Sequence, residues 1–273
     1  MGSVRQLLRD QGIRPRKGLG QHFLIDDEAV QAIVDAAAVT PEDTVVEVGP
    51  GPGILTPLLA DRAGKLIAVE LDRKVIPALK ELALQHPNLE IRLADILATD
   101  PGEFPSPYAV VGNLPYYITS AVLKHFLETA NRPKTMTVTI QSEVADRIVA
   151  KPPKMSVLAV SVQLYGDVTV VARIPREAFW PAPAVDSAVL RVENIGENLA
   201  QTIGKLTEQE FFRVVKAGFA EKRKQLHNSL ARNLDLSHDE TTAVLDKAGI
   251  DSKRRAETLT VPEWVELAHA CTK

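Results

Sequence analysis

Residues 44–54 read TVVEVGPGPGI, a β-branched run that leads directly into a loop with three glycines. This order is typical of the first βα turn of α/β folds that bind nucleotide-like ligands. Glycines suit the turn because it is tight and because a ligand approaches its backbone closely. The dinucleotide fingerprint needs a further glycine at position 54, where this chain has Ile54, so the loop argues against NAD.

Short apolar runs alternate with segments of helical spacing on either side of this loop. Near-continuous apolar strands separated by helices indicate a parallel sheet that is covered on both faces. The last two runs flank a proline-rich loop and lie too close together for a helical crossover, so we expect an antiparallel pair at the sheet edge. The predicted strands are Thr44–Val48, Lys65–Glu70, Leu89–Ala94, Tyr108–Gly112, Lys134–Ile140, Val168–Arg173 and Ser187–Val192.

The pattern changes after Glu193, where the strand signals end. Residues 195–207 contain Gly196 and Gly204 and are typical of a linker, whereas the pattern beyond them is helical. Thr207 and Glu210 have the spacing of a capping box, which marks a helix start. We therefore expect three parts: an α/β domain over 1–195 with a basic N-terminal segment over 1–26, a linker over 196–207, and a helical domain over 208–273.

The composition is that of an ordinary globular chain, with 273 residues, 45% hydrophobic and 25% charged. Cys271 is the single cysteine, so no intramolecular disulfide can form, which favours a reducing compartment. No apolar run approaches the length that spans a bilayer. Residues 1–16 lack the apolar stretch of a signal peptide. We expect a cytoplasmic protein without a membrane partner.

The net charge of −3 is unevenly distributed along the chain. Residues 1–26 carry five basic and two acidic residues, whereas residues 27–110 carry six and fourteen. The chain as a whole is therefore not a basic nucleic-acid binder. Basic clusters remain at Arg14, Arg16 and Lys17, and at Lys222, Arg223 and Lys224. The acidic window suits S-adenosylmethionine, a cofactor with a sulfonium and an ammonium and no phosphate.

Acidic residues end the two predicted strands that follow the glycine loop. Glu70 lies twenty-one residues beyond Gly49, where an acidic residue binds ribose hydroxyls in such folds. Asp95 follows the third strand, and its carboxylate could accept a hydrogen bond from an adenine amino group. Glu47, two residues before Gly49, is a third acidic residue at a strand end. The carboxyl ends of the strands form the ligand edge of such sheets, so we expect all three side chains at one edge.

The fourth strand is followed by Asn113-Leu114-Pro115-Tyr116, which can hold an exocyclic amine. The Asn113 side-chain oxygen and the Leu114 carbonyl can each accept one N–H hydrogen bond from that amine. Pro115 restricts Leu114 to extended geometry, which fixes the direction of its carbonyl. Tyr116 can stack on a base, which contributes about 1–3 kcal/mol in single-strand binders.

Five blocks, in order, resemble those of the ribosomal RNA adenine dimethyltransferase family, over nearly the whole chain. They are Gly20–Leu24, Glu47–Thr56, Asn113–Thr119, Phe179–Val189 and the pair Phe211–Phe212 with Arg223–Leu230. The resemblance implies a Rossmann-like S-adenosylmethionine-dependent methyltransferase domain with a mostly parallel seven-stranded sheet and an antiparallel edge strand. It also implies a small, all-helical C-terminal domain.

The same resemblance implies residue roles. His22, Leu24 and Gly49 would line the methionine end of the cofactor, with Asn113 between cofactor and target. Phe179 would face the target base, opposite Tyr116. Many relatives have Asn at the position of His22. Glu70 and Asp95 keep the roles given above, and no metal is expected. The residues that would contact RNA are Arg16, Lys17, Lys222, Arg223 and Lys224.

The implied reaction is dimethylation of N6 on two adjacent adenosines in a hairpin near the 3′ end of small-subunit (16S) rRNA. The expected substrate is a pre-assembled small ribosomal subunit, and S-adenosylhomocysteine is the expected by-product. We expect the protein to be a monomer in the bacterial cytoplasm. Three alternatives stay open: a large-subunit enzyme of the antibiotic-resistance type, a protein glutamine methyltransferase, and an assembly factor that acts mainly by binding. The net charge of −3 argues against the large-subunit enzyme. Leu114 and Phe179 argue against the protein glutamine methyltransferase.

Overall fold

The computed structural model describes residues 6, 8, 12–197, 199–221 and 223–272. The chain divides into two compact units. The first comprises residues 1–145 and 167–195, and the second comprises residues 146–166 and 196–273.

A seven-stranded sheet forms the centre of the first unit. Its strands are β2 (Thr44–Val48), β3 (Lys65–Glu70), β4 (Leu89–Leu93), β5 (Tyr108–Asn113), β6 (Thr135–Gln141), β7 (Asp167–Ile174) and β9 (Ser187–Glu193). Their order across the sheet is β4-β3-β2-β5-β6-β9-β7. The first five strands in this order, from β4 to β6, are parallel to one another, whereas β9 pairs antiparallel with both β6 and β7. The prediction of a mostly parallel sheet with an antiparallel pair at its edge is therefore confirmed.

The helices of this unit connect the strands. They are α1 (Asp27–Ala37), α2 (Thr56–Ala60), α3 (Ile76–Gln85), α4 (Thr119–Leu127) and α5 (Ser142–Ile148), of which the last ends in the second unit. The central strands are buried almost completely, as expected for a sheet with both faces covered. One core cluster packs α1, through Ile33 and Val34, with the sheet residues Val45 and Leu66.

A second, two-stranded sheet is not predicted from the sequence. β1 (Phe23–Leu24) pairs antiparallel with β8 (Phe179–Trp180), with Phe23 opposite Trp180 and Leu24 opposite Phe179. The Ile25 N–H extends the pairing by donating to the Ala178 carbonyl at 2.8 Å. This ribbon fixes the N-terminal segment against the proline-rich loop between β7 and β9.

The second unit is helical, with α6 (Val157–Gln163), α7 (Leu199–Ile203), α8 (Glu208–Phe219), α9 (Leu226–Leu234), α10 (His238–Lys247) and α11 (Val261–Cys271). The capping box of Thr207 and Glu210 at the start of α8 is confirmed. Helix α7 lies inside the stretch predicted as a linker, and residues 146–166 group with the C-terminal helices. The limits 1–195, 196–207 and 208–273 stay a prediction.

Within the described residues, no helix combines the length and the apolar character that crossing a bilayer requires.

Candidate active site

The glycine loop follows β2 in left-handed backbone conformation, with φ of 65° at Gly49, 58° at Gly51 and 86° at Gly53. L side chains are strained at such angles. The Gly49 N–H donates to the Val69 carbonyl at 3.0 Å, which ties the loop to β3. A Cβ at position 51 would lie 3.2 Å from the Phe23 ring. The glycines therefore let the loop lie close to β1 and to the end of β3.

Glu70 ends β3 with its carboxylate directed at this loop. Its Oε2 accepts from the Gly51 N–H at 2.9 Å and its Oε1 from the Asp72 N–H at 2.7 Å. Burial raises the pKa of Glu70, although these N–H donors partly oppose that rise. The carboxylate oxygens retain further acceptor capacity toward hydroxyl groups in the cleft.

Glu47 lies in β2 and is 1% exposed. Neither of its carboxyl oxygens has a donor in good hydrogen-bond geometry among the described residues. Burial raises the pKa of Glu47 to about 8, and the nearby Thr56 hydroxyl lowers it only in part. A buried carboxyl without a partner is costly, and such groups mark functional sites more often than ordinary core positions.

One cleft contains most of the residues predicted for the site. It is lined by nine of them: His22, Leu24, Gly49, Glu70, Asp95, Asn113, Leu114, Pro115 and Tyr116. Asp95 is exposed and accepts from the Leu97 N–H at 2.9 Å through one oxygen. Phe179 is not among the lining residues; it is 2% exposed and packs in the core. The roles of all ten residues stay predictions.

Asn113, at the end of β5, is oriented by the N-terminal segment. Its Nδ2 donates to the His22 backbone carbonyl at 3.0 Å. Because a carbonyl oxygen can only accept, this contact assigns the amide nitrogen and leaves Oδ1 as the acceptor. Oδ1 has no protein donor among the described residues, so it can accept a hydrogen bond from an amine in the cleft.

Tyr116 is held at its hydroxyl end. Its hydroxyl lies 2.7 Å from the Ser187 Oγ, at the start of β9. Burial raises the pKa of Tyr116, so its hydroxyl stays protonated at neutral pH. Tyr117, the next residue, is 64% exposed. The Tyr116 ring is therefore a fixed aromatic face beside Asn113.

The basic residues that were predicted to contact RNA fall into three groups. Arg16 pairs with buried Asp72 at 3.2 Å while half of its side chain stays exposed. Arg223 and Lys224 are exposed in the turn before α9. Lys222 and the side chain of Lys17 lie outside what the structure describes.

The cleft fits a cationic cofactor with a ribose and an adenine. Carboxyl groups stand at or near the ends of β2, β3 and β4, and the loop that follows β2 has a closely approachable backbone. Asn113 and Tyr116 add an amide acceptor and an aromatic face at the same cleft. Among the residues described, no cluster of three or more metal-binding side chains occurs. The fold and this cleft match the class that the sequence predicts, the Rossmann-like S-adenosylmethionine-dependent methyltransferases.

The chain belongs to the ribosomal RNA adenine dimethylase family, whose model matches residues 12–273. It is 45% identical over 276 residues to the ribosomal RNA small subunit methyltransferase A of Dehalococcoides mccartyi, covering 100% of this chain and 94% of that protein. It is 43% identical to the protein of the same name from Desulfitobacterium hafniense, covering 99% and 96%.

Solved structures agree with this family. The 23S rRNA methyltransferase ErmE superposes with a TM-score of 0.73 at 31% identity, over 91% of this chain and 98% of that one. A dimethyladenosine transferase from Plasmodium falciparum superposes with a TM-score of 0.79 at 24% identity, over 90% and 96%. The predicted family and fold class are confirmed.

Sequence reasoning placed Glu47 among the acidic groups at the ligand edge of the sheet, but it gave no role to Asp72 and Ser187, which the structure places beside the site. Neither of these two residues carries a comparable signal in the sequence. Their contacts with Arg16 and Tyr116 join segments that lie 56 and 71 residues apart in the chain.

Proposed function

We propose that this protein dimethylates the N6 of two adjacent adenosines in a hairpin near the 3′ end of 16S rRNA. S-adenosylmethionine is the methyl donor and S-adenosylhomocysteine the product. The observation that carries the proposal is the position of Asn113 and Tyr116 in the same cleft as Glu70 and Asp95. The small-subunit methyltransferases at 43–45% identity support the choice of RNA.

The cleft residues would bind the cofactor through hydrogen bonds and close packing. Glu70 would accept from the ribose hydroxyls and Asp95 from the adenine amino group. His22, Leu24 and Gly49 would line the methionine end, and the buried Glu47 lines the same cleft. When bound, the cofactor supplies an electrophilic methyl group on a sulfonium.

Asn113 and the Leu114 carbonyl would accept the two N–H groups of the target amine, which turns the nitrogen lone pair away from the protein and toward the cofactor. The lone pair could then accept the methyl group that the bound cofactor would supply, with the neutral thioether as leaving group, and the amine would release a proton afterwards. The target base must first leave its stack, which costs a few kcal/mol. Tyr116 would offset that cost by stacking on the base. Phe179 would face the base from the other side only after leaving the core position that it has in the structure.

The proposed partner is small-subunit rRNA in a pre-assembled particle. The protein would bind this particle as a monomer in the bacterial cytoplasm. Arg16, Lys17, Lys222, Arg223 and Lys224 would contact phosphates, which position the protein without reading sequence. Such binding would also allow a role in small-subunit biogenesis.

The test incubates the protein with labelled S-adenosylmethionine and either undermethylated small subunits or purified large subunits. We expect dimethyladenosine in small-subunit RNA alone. Label in large-subunit RNA would replace the proposal with the resistance-type activity, for which the 31% identity to ErmE is the supporting observation. Label in protein would point to glutamine methylation instead.

The matched variant is Asn113→Ala, which removes the amide but leaves the fold of β5. We expect the methylation rate to fall about a hundredfold, a loss typical of a removed positioning hydrogen bond. Binding to small subunits should persist. An Asn113→Ala protein with unchanged rate would contradict the role given to the amide.

A further inference from the structure

His22, which is predicted to line the cofactor site, makes three contacts with residues that are predicted to hold or adjoin the target base. Its imidazole stacks on the Tyr116 ring at 5.8 Å between centroids, with 21° between the planes. Its Nδ1 lies 2.6 Å from the Pro181 carbonyl oxygen. Its backbone carbonyl accepts from Asn113 Nδ2 at 3.0 Å. The three partners, Tyr116, Pro181 and Asn113, all belong to or adjoin the proposed site of the target base.

The contact with Pro181 sets the tautomer of the imidazole. A carbonyl oxygen only accepts, so Nδ1 carries a proton and donates it to the Pro181 carbonyl. The ring is thereby held at one edge while its face lies against Tyr116. Tyr116 in turn is held by Ser187 through its hydroxyl. The two rings form one stack that is fixed at both ends.

The backbone around His22 strengthens this arrangement. His22 immediately precedes β1, which pairs with β8, so the Pro181 contact continues the ribbon by one residue on each strand. The ribbon carries Phe179, and its end at Pro181 leads into the rest of the proline-rich loop. The His22 side chain therefore links that loop directly to the Tyr116 ring.

We propose that the His22 side chain is a positioning residue of the target-base site, which fixes the Tyr116 ring and the Pro181 loop relative to each other. This role rests on the proposed function, because it assumes that the base binds beside Tyr116. It is distinct from the predicted cofactor contact of residue 22, which the backbone alone could make. Losing the side chain should weaken the target site and leave the cofactor site intact.

The test compares three variants in steady-state methylation of undermethylated small subunits. His22→Ala loses both contacts, His22→Asn keeps a side-chain donor for Pro181, and His22→Phe keeps a ring for Tyr116. We expect His22→Ala to raise the KM for the RNA substrate about tenfold, the effect of one lost hydrogen bond of about 1.4 kcal/mol. The other two variants should each recover part of that loss.

Two control readouts decide the interpretation. The affinity for S-adenosylmethionine, measured by calorimetry, should change less than twofold, and the pH profile of kcat should keep its shape. An unchanged KM for RNA, or an equal loss of cofactor affinity, would overturn the proposal. A lost ionisation in the pH profile would also overturn it, because it would make His22 a proton acceptor instead.

Folding and the proposed function are checked separately. If His22→Ala does not fold, as judged by its thermal transition, His22→Phe carries the test. It preserves the aromatic packing, and under the proposal its KM for RNA should still rise. A wild-type protein that methylates no small-subunit RNA would refute the proposed function itself, whatever the variants do.

Discussion

Glu47 is a carboxyl group that the fold buries in the cleft without a matching donor. Its pKa is raised to about 8, chiefly by burial, with the carboxylate of Glu70 adding to the rise. The folded protein therefore binds a proton at Glu47 over a pH range in which the unfolded chain has lost it. Stability that this proton provides is fully present below about pH 4.5 and is lost as the pH rises toward 8.

Replacing Glu47 with Gln should remove this part of the pH dependence. We expect the free energy of unfolding of Glu47→Gln to fall less steeply between pH 5 and pH 8 than that of the wild type, by a margin that denaturant titrations can resolve. Glu42→Gln is the matched control, since Glu42 is exposed two residues before β2. Parallel pH curves for wild type and Glu47→Gln would contradict the prediction.

The residues of the site were partly predictable from sequence. Glu70, Asp95 and Asn113 could be assigned to one cleft because each closes a parallel strand, and such strands end at one edge. The contact between His22 and Pro181 could not, since 159 residues separate them and neither belongs to a recognisable periodic pattern. The burial of Phe179 was not anticipated either, because a two-residue strand gives no burial period.

At the scale of elements, β2 and β5 approach each other closely at Gly112. A Cβ at this position would lie 2.7 Å from the Val48 carbonyl oxygen, and Val48 directly precedes the glycine loop. Gly112→Ala should separate the two strands at the cleft. We expect a loss of about 1–3 kcal/mol in the free energy of unfolding, typical of overpacking, and weaker S-adenosylmethionine binding.

Denaturant unfolding and calorimetry measure these two losses. Gly18→Ala is the control, because a Cβ there would meet nothing within 4 Å. A Gly112→Ala protein as stable as Gly18→Ala would show that the strands can accommodate a methyl group.

Helix α11 begins with a capping box in which Glu263 has a second partner. Thr260 and Glu263 exchange hydrogen bonds, and Arg254 donates to both carboxylate oxygens of Glu263, one of them at 3.1 Å. Hydrogen bonding from Arg254 lowers the pKa of Glu263 to about 2. The stability that this carboxylate provides is therefore present at neutral pH and is lost as the pH falls from about 4.5 toward 2.

Glu263→Gln should destabilise the protein at pH 7 by about 1 kcal/mol, as expected for a weakened helix cap and a partly exposed ion pair. The difference from wild type should shrink as the pH falls toward 2 in thermal unfolding. Glu266→Gln, on the exposed face of the same helix, should have no comparable effect. A difference that stays constant with pH would rule out the ionised Glu263 as its source.

The bounds of the longer strands could be predicted from the sequence. Buried parallel strands give continuous β-branched runs, so β2 and β3 begin and end where the sequence predicts. The ribbon of β1 and β8 was missed because its strands have two residues each. The grouping of residues 146–166 with the C-terminal helices was missed because no break in composition marks that segment.

At the scale of the whole molecule, the net charge of −3 means that RNA binding must depend on local cations. Arg223→Ala and Lys224→Ala should each weaken binding to small subunits. Each should also lower the slope of log affinity against log salt by about one, the value for one lost phosphate contact.

Binding titrations at several KCl concentrations measure this slope. Lys80→Ala, which removes an exposed lysine from α3 in the acidic part of the chain, should leave it unchanged. A weaker affinity with an unaltered slope would mean that the two residues do not neutralise phosphates.

The ribbon of β1 and β8 has a consequence for the order of binding events. One strand adjoins His22 and contains Leu24, which would line the cofactor site in the proposed function, and the other contains Phe179, which would face the target base. A ligand that stabilises either strand stabilises both, so cofactor and RNA become heterotropic effectors of one another. Thermodynamic linkage then requires reciprocity: the factor by which the cofactor tightens RNA binding equals the factor by which RNA tightens cofactor binding. Cofactor turnover between the first and second methylation would thus be tuned by how firmly the RNA is held.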